Sequence, residues 1–232
     1  FLKMKDIQVE HFNSEKNQYL SDRLFDPPLH VQDELSQMIM LIKKNSKKRN
    51  VVDFGSGNGR LTIPLLKEGF LVTSVDISNK SLLNLHHNAV KIKKQKKLKT
   101  RLSLPENSNV ICGTDILHHV NLKNYFPLFY QSLSKDGFLI FSEPNILNIG
   151  WSLFISLFLD WKIEKGIIYI NYFNLKKQLK LAGFKDIKII GLLLFPPMLF
   201  NKIVFLRKLN LFLGDLPILK LFAFRYIITA NK

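Results

Sequence analysis

Hydrophobic positions change their period several times along the chain. Between residues 31 and 44, Leu35, Met38, Ile39 and Ile42 fall on one side of a helical repeat, behind the break at Pro27 and Pro28. At residue 50 that spacing gives way to the short apolar run Val51-Val52-Asp53-Phe54, closed by Gly55, which reads as a strand buried on both faces. Residues 60–68 return to a helical spacing stopped by Gly69, and 70–75 form a second apolar run ended by Asp76. Ser78 or Asn79 can cap a helix over 80–97. Further strands are expected within 98–104 and at 109–113, 138–142, 187–194 and 222–229. Helices are expected at 122–133 and 174–181 and between the last two strands, with a turn at Asp136-Gly137. This alternation predicts an α/β fold in a single domain over 1–232: a doubly wound, mostly parallel seven-stranded sheet. N-terminal helices in 1–48 and a hydrophobic helical insertion at 145–170 complete it. In such a sheet a ligand binds at the carboxyl ends of the strands.

Composition changes this picture in two ways. The single cysteine, Cys112, excludes a disulfide framework and a thiolate zinc site and fits a reducing compartment, so the protein is expected in the cytoplasm. The formal charge of +16 implies attraction to anionic partners, among which nucleic acid, lipid headgroups and acidic small molecules are open. Basic clusters at 43–49 and 91–101 read either as solvated segments or as contacts for an anionic membrane surface. Neither carries the interleaved aromatics of a face for single-stranded nucleic acid. The longest apolar stretches, 149–159 and 192–200, fall short of the roughly 20 residues a membrane span needs. No signal-peptide core follows Phe1, and residues upstream of it are expected because the chain does not begin with Met.

The candidate chemistry sits where the first strand meets the first helix behind it, in Gly55-Ser56-Gly57-Asn58-Gly59. Alternate glycines let a backbone approach a ligand without Cβ interference, and the following helix offers unsatisfied N–H groups. Asp76, ending the next strand, stands where an acid can accept hydrogen bonds from ribose hydroxyls. A glycine turn that merely packs helix on strand is the plainer reading of the loop alone. The spacing G-x-G-x-G differs from the dinucleotide pattern G-x-G-x-x-G. Asp53, two residues before Gly55, would repel a pyrophosphate but suit an ammonium group. These electrostatics favour S-adenosylmethionine over NAD.

Residues 51–59 resemble the first motif of the class I S-adenosylmethionine-dependent methyltransferases, and Val75-Asp76-Ile77-Ser78 their ribose-binding strand end. Residues 109–120 and 133–141 are similar to the segments around their fourth and fifth strands. The resemblance implies a Rossmann-like methyltransferase fold with S-adenosyl-L-methionine as cofactor. It places Asp53 near the cofactor's amino end, Gly55, Ser56, Gly57 and Gly59 around its methionine part, and Asp76 on the ribose. It brings backbone at Ile77 to the adenine and backbone at Gly113 to the amino group. The chain departs from the family after the third strand: an acid usual there is replaced by Ser103, with Glu106 offset from it.

Methyl transfer needs alignment of nucleophile and methyl group, and a proton acceptor where a hydroxyl or acidic carbon is methylated. Candidate acceptors are His118, His119 and Glu143, of which His119 is the catalytic candidate, while His118 reads more readily as a packing residue. Their spacing offers no metal-ligand set, so no metal is expected. The segment after the fourth strand, Cys112-Gly113-Thr114-Asp115, does not resemble the Asn/Asp-Pro-Pro-aromatic element of nucleic-acid amino-methylating enzymes. A small-molecule acceptor is therefore expected, O- or C-methylated, with nucleic acid disfavoured. Trp151, Phe154, Ile155, Leu157, Phe158 and Leu159 in the insertion, with 192–200, read as a lipophilic lid, a lipid-resting surface, or simply a core helix. Two rival functions stay open: an NAD-dependent oxidoreductase, and a catalytically silent methyltransferase-like binding subunit.

Overall fold

A computed structural model of the chain describes residues 21–158, 161–197 and 203–232. The N-terminal part of the expected helical segment, 1–20, lies outside them. The chain forms two compact units, residues 1–114 and 115–232.

In the first unit, α1 (Ser21–Phe25) stops before the proline pair, and α2 (Leu29–Asn45) starts directly after it, where Pro28 O accepts from Val31 N at 2.8 Å. Proline fixes φ and lacks an N–H, so it fits just ahead of a first helical turn. α2 buries Val31, Leu35, Met38, Ile39 and Ile42, as the spacing predicts. The strands β1 (Asn50–Phe54), β2 (Leu71–Val75), β3 (Leu98–Arg101) and β4 (Ser108–Thr114) are parallel, in the order β3-β2-β1-β4. In that register Asp53 stands between Ser74 of β2 and Cys112 of β4. Two helices connect the strands: α3 (Thr62–Lys67) and α4 (Asn79–Lys91).

The expected helix over 80–97 is too long. It starts as predicted, with Ser78 Oγ accepting from Ser81 N at 3.1 Å, but ends at Lys91. Lys93 adopts φ +56°, and the N–H groups of Lys93 and Lys94 close back on Val90 O and Ala89 O. That closure satisfies the last carbonyls of the helix and ends it. One 3₁₀ turn, Gln95–Lys97, leads into β3.

In the second unit, β7 (Arg225–Asn231) runs antiparallel to both of its partners, β5 (Leu133–Pro144) and β6 (Lys185–Leu192). The expected turn at Asp136-Gly137 falls inside the β5 range: a Cβ on Gly137 would lie 2.7 Å from Leu133 Cβ and 2.8 Å from Ser134 O, so the chain folds back tightly between Leu133 and Gly137 before pairing with β7 from Phe138. Gly137 O accepts from Lys232 N at 3.0 Å, holding this stretch to the end of β7. The helices are α5 (Leu122–Ser132), α6 (Ile149–Phe158), α7 (Trp161–Glu164), α8 (Tyr172–Leu181) and α9 (Val204–Gly214). α6 and α7 occupy the expected insertion. It is bolted down by two asparagines: Asn145 Nδ2 donates to Leu221 O and Ala223 O, and Asn148 Nδ2 to Leu194 O and Phe222 O. The mostly parallel α/β architecture read from the sequence is the one formed.

Candidate functional site

The glycine loop follows β1 directly. Gly55 N and Ser56 N both donate to Val75 O at the end of β2, which draws the loop toward Asp76. Gly57 has φ +49°, and a Cβ there would meet nothing within 4 Å, so its backbone borders open space. Gly59 has φ +108°, and a Cβ there would run into Leu85 Cδ1 and Ile63 Cγ1. One glycine opens the loop to a ligand, and the other lets α3 and α4 close beneath it.

Asp76 is tied to this loop by both oxygens. Oδ2 accepts from Gly57 N at 2.8 Å and Oδ1 from Ser78 N at 2.9 Å. The carboxylate keeps acceptor capacity beyond these bonds, and the side chain is partly exposed. Burial raises its pKa from the ordinary carboxylate value, and the N–H donors of Ser78, Gly57 and Ile77 work against that rise. Ile77 is exposed beside it. Ser56 Oγ is buried and finds no hydrogen-bond partner among the described residues. A buried hydroxyl left unpaired costs free energy.

Asp53 is placed differently from an acid open at the loop. It is 1% exposed, and its Oδ2 accepts from Thr62 Oγ1 at 2.6 Å. Thr62 uses its one hydrogen there, so Ser74 Oγ, 2.8 Å away, donates to Thr62. Burial pushes the Asp53 pKa up to about 7, Thr62 counters it, and the Asp76 charge adds to the rise. Its register partner Cys112 has its thiol pushed well up by burial and by Asp53. Gly113, next along β4, is buried. Ser103 and Glu106 are both exposed beyond β3.

In the second unit, the three expected proton acceptors have unequal surroundings. Glu143 Oε1 accepts from Ile116 N and Leu117 N, both at 2.7 Å, and Oε2 lies 2.6 Å from His118 Nδ1. Glu143 is fully buried and fastens the turn that carries the histidines. His118 is also buried, with Nε2 3.3 Å from Glu164 Oε2. Burial alone would lower its pKa, but Glu143 and then Glu164 raise it to about 10. His118 therefore keeps its proton at neutral pH and takes none from an acceptor. Glu164 is held below its ordinary value by His118 against its own burial. His119 is half-buried, its ring centroid 4.0 Å from that of His118.

Neither Glu164, which lies 46 residues beyond His118 on α7, nor the Arg225–Asp115 ion pair at 2.7 Å is foreshadowed by any local pattern. No local spacing links these residues, because β5 and the insertion intervene. Of this cluster, His118, His119 and Glu143 were visible as candidates, but not the way Glu143 fastens the histidine turn.

A family described as a methyltransferase domain matches residues 29–189. Among solved structures the chain is similar to a SAM-dependent methyltransferase from Thermotoga maritima, at 16% identity, covering 99% of each chain with a TM-score of 0.67. It is similar to magnesium protoporphyrin IX methyltransferase from Synechocystis PCC 6803, determined with bound SAH, at 17% identity over 98% of this chain and 99% of that one, TM-score 0.62. It is also similar to geranyl diphosphate C-methyltransferase from Streptomyces coelicolor A3(2), at 15% identity over 95% of this chain and 86% of that one, TM-score 0.58. No curated protein matches it.

Proposed function

This chain belongs to the family of methyltransferase domains, and on that premise we propose that it transfers a methyl group from S-adenosyl-L-methionine to a small, lipophilic acceptor by O- or C-methylation. The observation that carries the reading is the pairing of Asp76 with the loop it holds. A carboxylate with lone pairs to spare, an unpartnered Ser56 hydroxyl and open space over Gly57 all lie within one short stretch. The residues fit that cofactor. Asp76 would take the ribose hydroxyls, backbone of Gly55, Ser56, Gly57 and Gly59 the methionine part, Ile77 the adenine face, and Gly113 backbone the amino group. Asp53 would act from beneath the loop as counter-charge to the ammonium.

When bound, S-adenosylmethionine supplies an electrophilic methyl group on a sulfonium. The protein's own part is to align the acceptor and, for a hydroxyl, to remove a proton. Of the three candidates, His118 is already protonated and both Glu143 oxygens are committed, which leaves His119 as the proton acceptor assigned here. The lipophilic acceptor is argued by the relatives that act on magnesium protoporphyrin IX and geranyl diphosphate, and by the apolar character of the insertion.

Calorimetric titration with S-adenosylmethionine tests the reading, followed by transfer of a radiolabelled methyl group into the organic phase of a membrane-lipid extract. Heat of binding and extractable label are expected. Heat with NAD instead would favour the oxidoreductase, and binding without transfer the silent subunit.

A docking surface for an anionic membrane is part of the same proposal. Ile149, Leu153 and Leu157 recur every fourth residue along α6 and are all exposed, while α9 exposes Phe205, Leu209 and Phe212 around Lys208. The side chains of Phe154, Ile155, Phe158 and Leu159 and the segment 198–202 lie outside the described residues. No helix among the described residues is long and apolar enough to cross a membrane. An apolar stripe on a basic protein suits a helix lying in an anionic interface. Cosedimentation with phosphatidylglycerol vesicles is expected for the unaltered protein and is expected to be lost in Phe205→Glu/Phe212→Glu. Equal pelleting of both proteins would remove the docking surface from the proposal.

A further inference from the structure

We propose that His118, His119 and Glu164 form a binding site for a divalent transition-metal ion of zinc type, with Glu143 as the outer partner of His118. One nitrogen from each histidine and one Glu164 oxygen lie within 4.8 Å of one another. Two imidazoles and one carboxylate are the donor set that zinc and its neighbours take, whereas magnesium prefers oxygen alone.

Three features support the site. The first is the orientation of His118. Its Nδ1 faces Glu143 Oε2 at 2.6 Å, and Glu143 cannot swing away because its other oxygen holds the N–H groups of Ile116 and Leu117. A carboxylate on one ring nitrogen orients the ring, and an ion that displaces the Nε2 proton meets that nitrogen's lone pair. The second is the separation of His118 Nε2 from Glu164 Oε2, 3.3 Å. That is longer than the usual charge-assisted hydrogen bond of about 2.7–2.9 Å. It matches the ~3.3–3.4 Å between two ligands on a tetrahedral ion with bonds of about 2.0–2.1 Å. The third is rigidity. A Cβ on Gly166 would overlap the His118 carbonyl oxygen, so the segment behind Glu164 is seated directly on the histidine turn. His119 and Glu164 are only half-buried, so the cluster can be reached from solvent.

The site stands apart from the methyl-transfer reading. Its one link is that a bound ion would take up the His119 lone pair assigned above as proton acceptor.

The test uses the full chain, stripped with EDTA and titrated with Co²⁺ as a visible-absorbing probe and with Zn²⁺ as competitor. The expected result is one ion per chain, a visible Co²⁺ band typical of low coordination number, and its displacement by Zn²⁺ but not by Mg²⁺. Glu164→Gln and His119→Asn are each expected to weaken Co²⁺ binding at least tenfold. Glu143→Gln is expected to weaken it by about 10–100-fold with a shifted band, as loss of an outer-shell partner does. Far-UV circular dichroism and S-adenosylmethionine calorimetry on each variant report folding separately, because Asp76 and its loop are not altered. Absence of the band at millimolar Co²⁺, or wild-type affinity in folded Glu164→Gln and His119→Asn, would overturn the site. Loss of S-adenosylmethionine binding by the unaltered protein would overturn the methyl-transfer reading and leave the site standing.

Discussion

Asp76→Ala is expected to weaken S-adenosylmethionine binding by about 100-fold or more. Hydrogen bonds to a charged group contribute about 1.5–3 kcal/mol each, and this substitution removes both of those proposed to the ribose. It also strands two donors within the protein, since Gly57 N and Ser78 N lose their acceptor. The glycine loop is thereby released on one side, while Gly55 N and Ser56 N still hold it to Val75 O. Asp76→Asn separates the two effects: it keeps one carbonyl oxygen for the loop or the ligand but lacks the charge, and is expected to fall between wild type and alanine. Calorimetry measures the affinities, and thermal unfolding of the ligand-free variants measures the loop's share. Wild-type affinity in Asp76→Ala would show that the ribose is held elsewhere.

The first unit was legible in the sequence because its signals are local. Val51-Val52-Asp53-Phe54 is apolar without alternation since parallel strands are covered on both faces, and the alternate glycines follow it at once. Asp76 was readable for the same reason: it ends the next strand, and the register that sets Phe54 against Val75 puts it beside the loop. The end of α4 was not readable. Lys93 enters a left-handed conformation with no glycine to announce it, so a lysine-rich stretch of good helix formers was read as helix throughout.

The second unit hid its chemistry in long-range pairing. His118 and His119 were visible as a pair, but what distinguishes them is Glu143 at the far end of β5 and Glu164 on α7. Neither distance can be read from a helical or strand repeat. Spacing alone argued against a metal, because Glu164 reaches the histidines only once the insertion folds back and Gly166 closes on the turn. Polar residues such as Asn145 and Asn148 give no periodic signal either, although they anchor the insertion at four backbone carbonyls.

Asp53 carries the second large prediction, a pH dependence that runs in opposite senses for stability and for binding. In the ligand-free protein its pKa is about 7, against 3.8 for an unperturbed side chain. The folded state therefore holds this proton more tightly than the unfolded state does. Stability contributed at Asp53 is full below about pH 4, falls as pH rises toward 7, and is level above it. The loss is of the order of 4 kcal/mol, from about 3 pH units at ~1.4 kcal/mol each. A cationic ligand above the loop favours the ionised carboxylate, so binding releases the proton. Affinity for S-adenosylmethionine is then expected to rise between pH 5 and 7 by up to tenfold per unit, about 100-fold in all, and to flatten above 7. Asp53→Asn should flatten both curves: its melting temperature at pH 8 exceeds that of wild type, while its affinity there is lower and no longer depends on pH. Calorimetry across this range, with thermal unfolding in the same buffers, reads both. Equal wild-type affinity at pH 5 and pH 7 would mean that the buried carboxylate does not sense the ligand's charge.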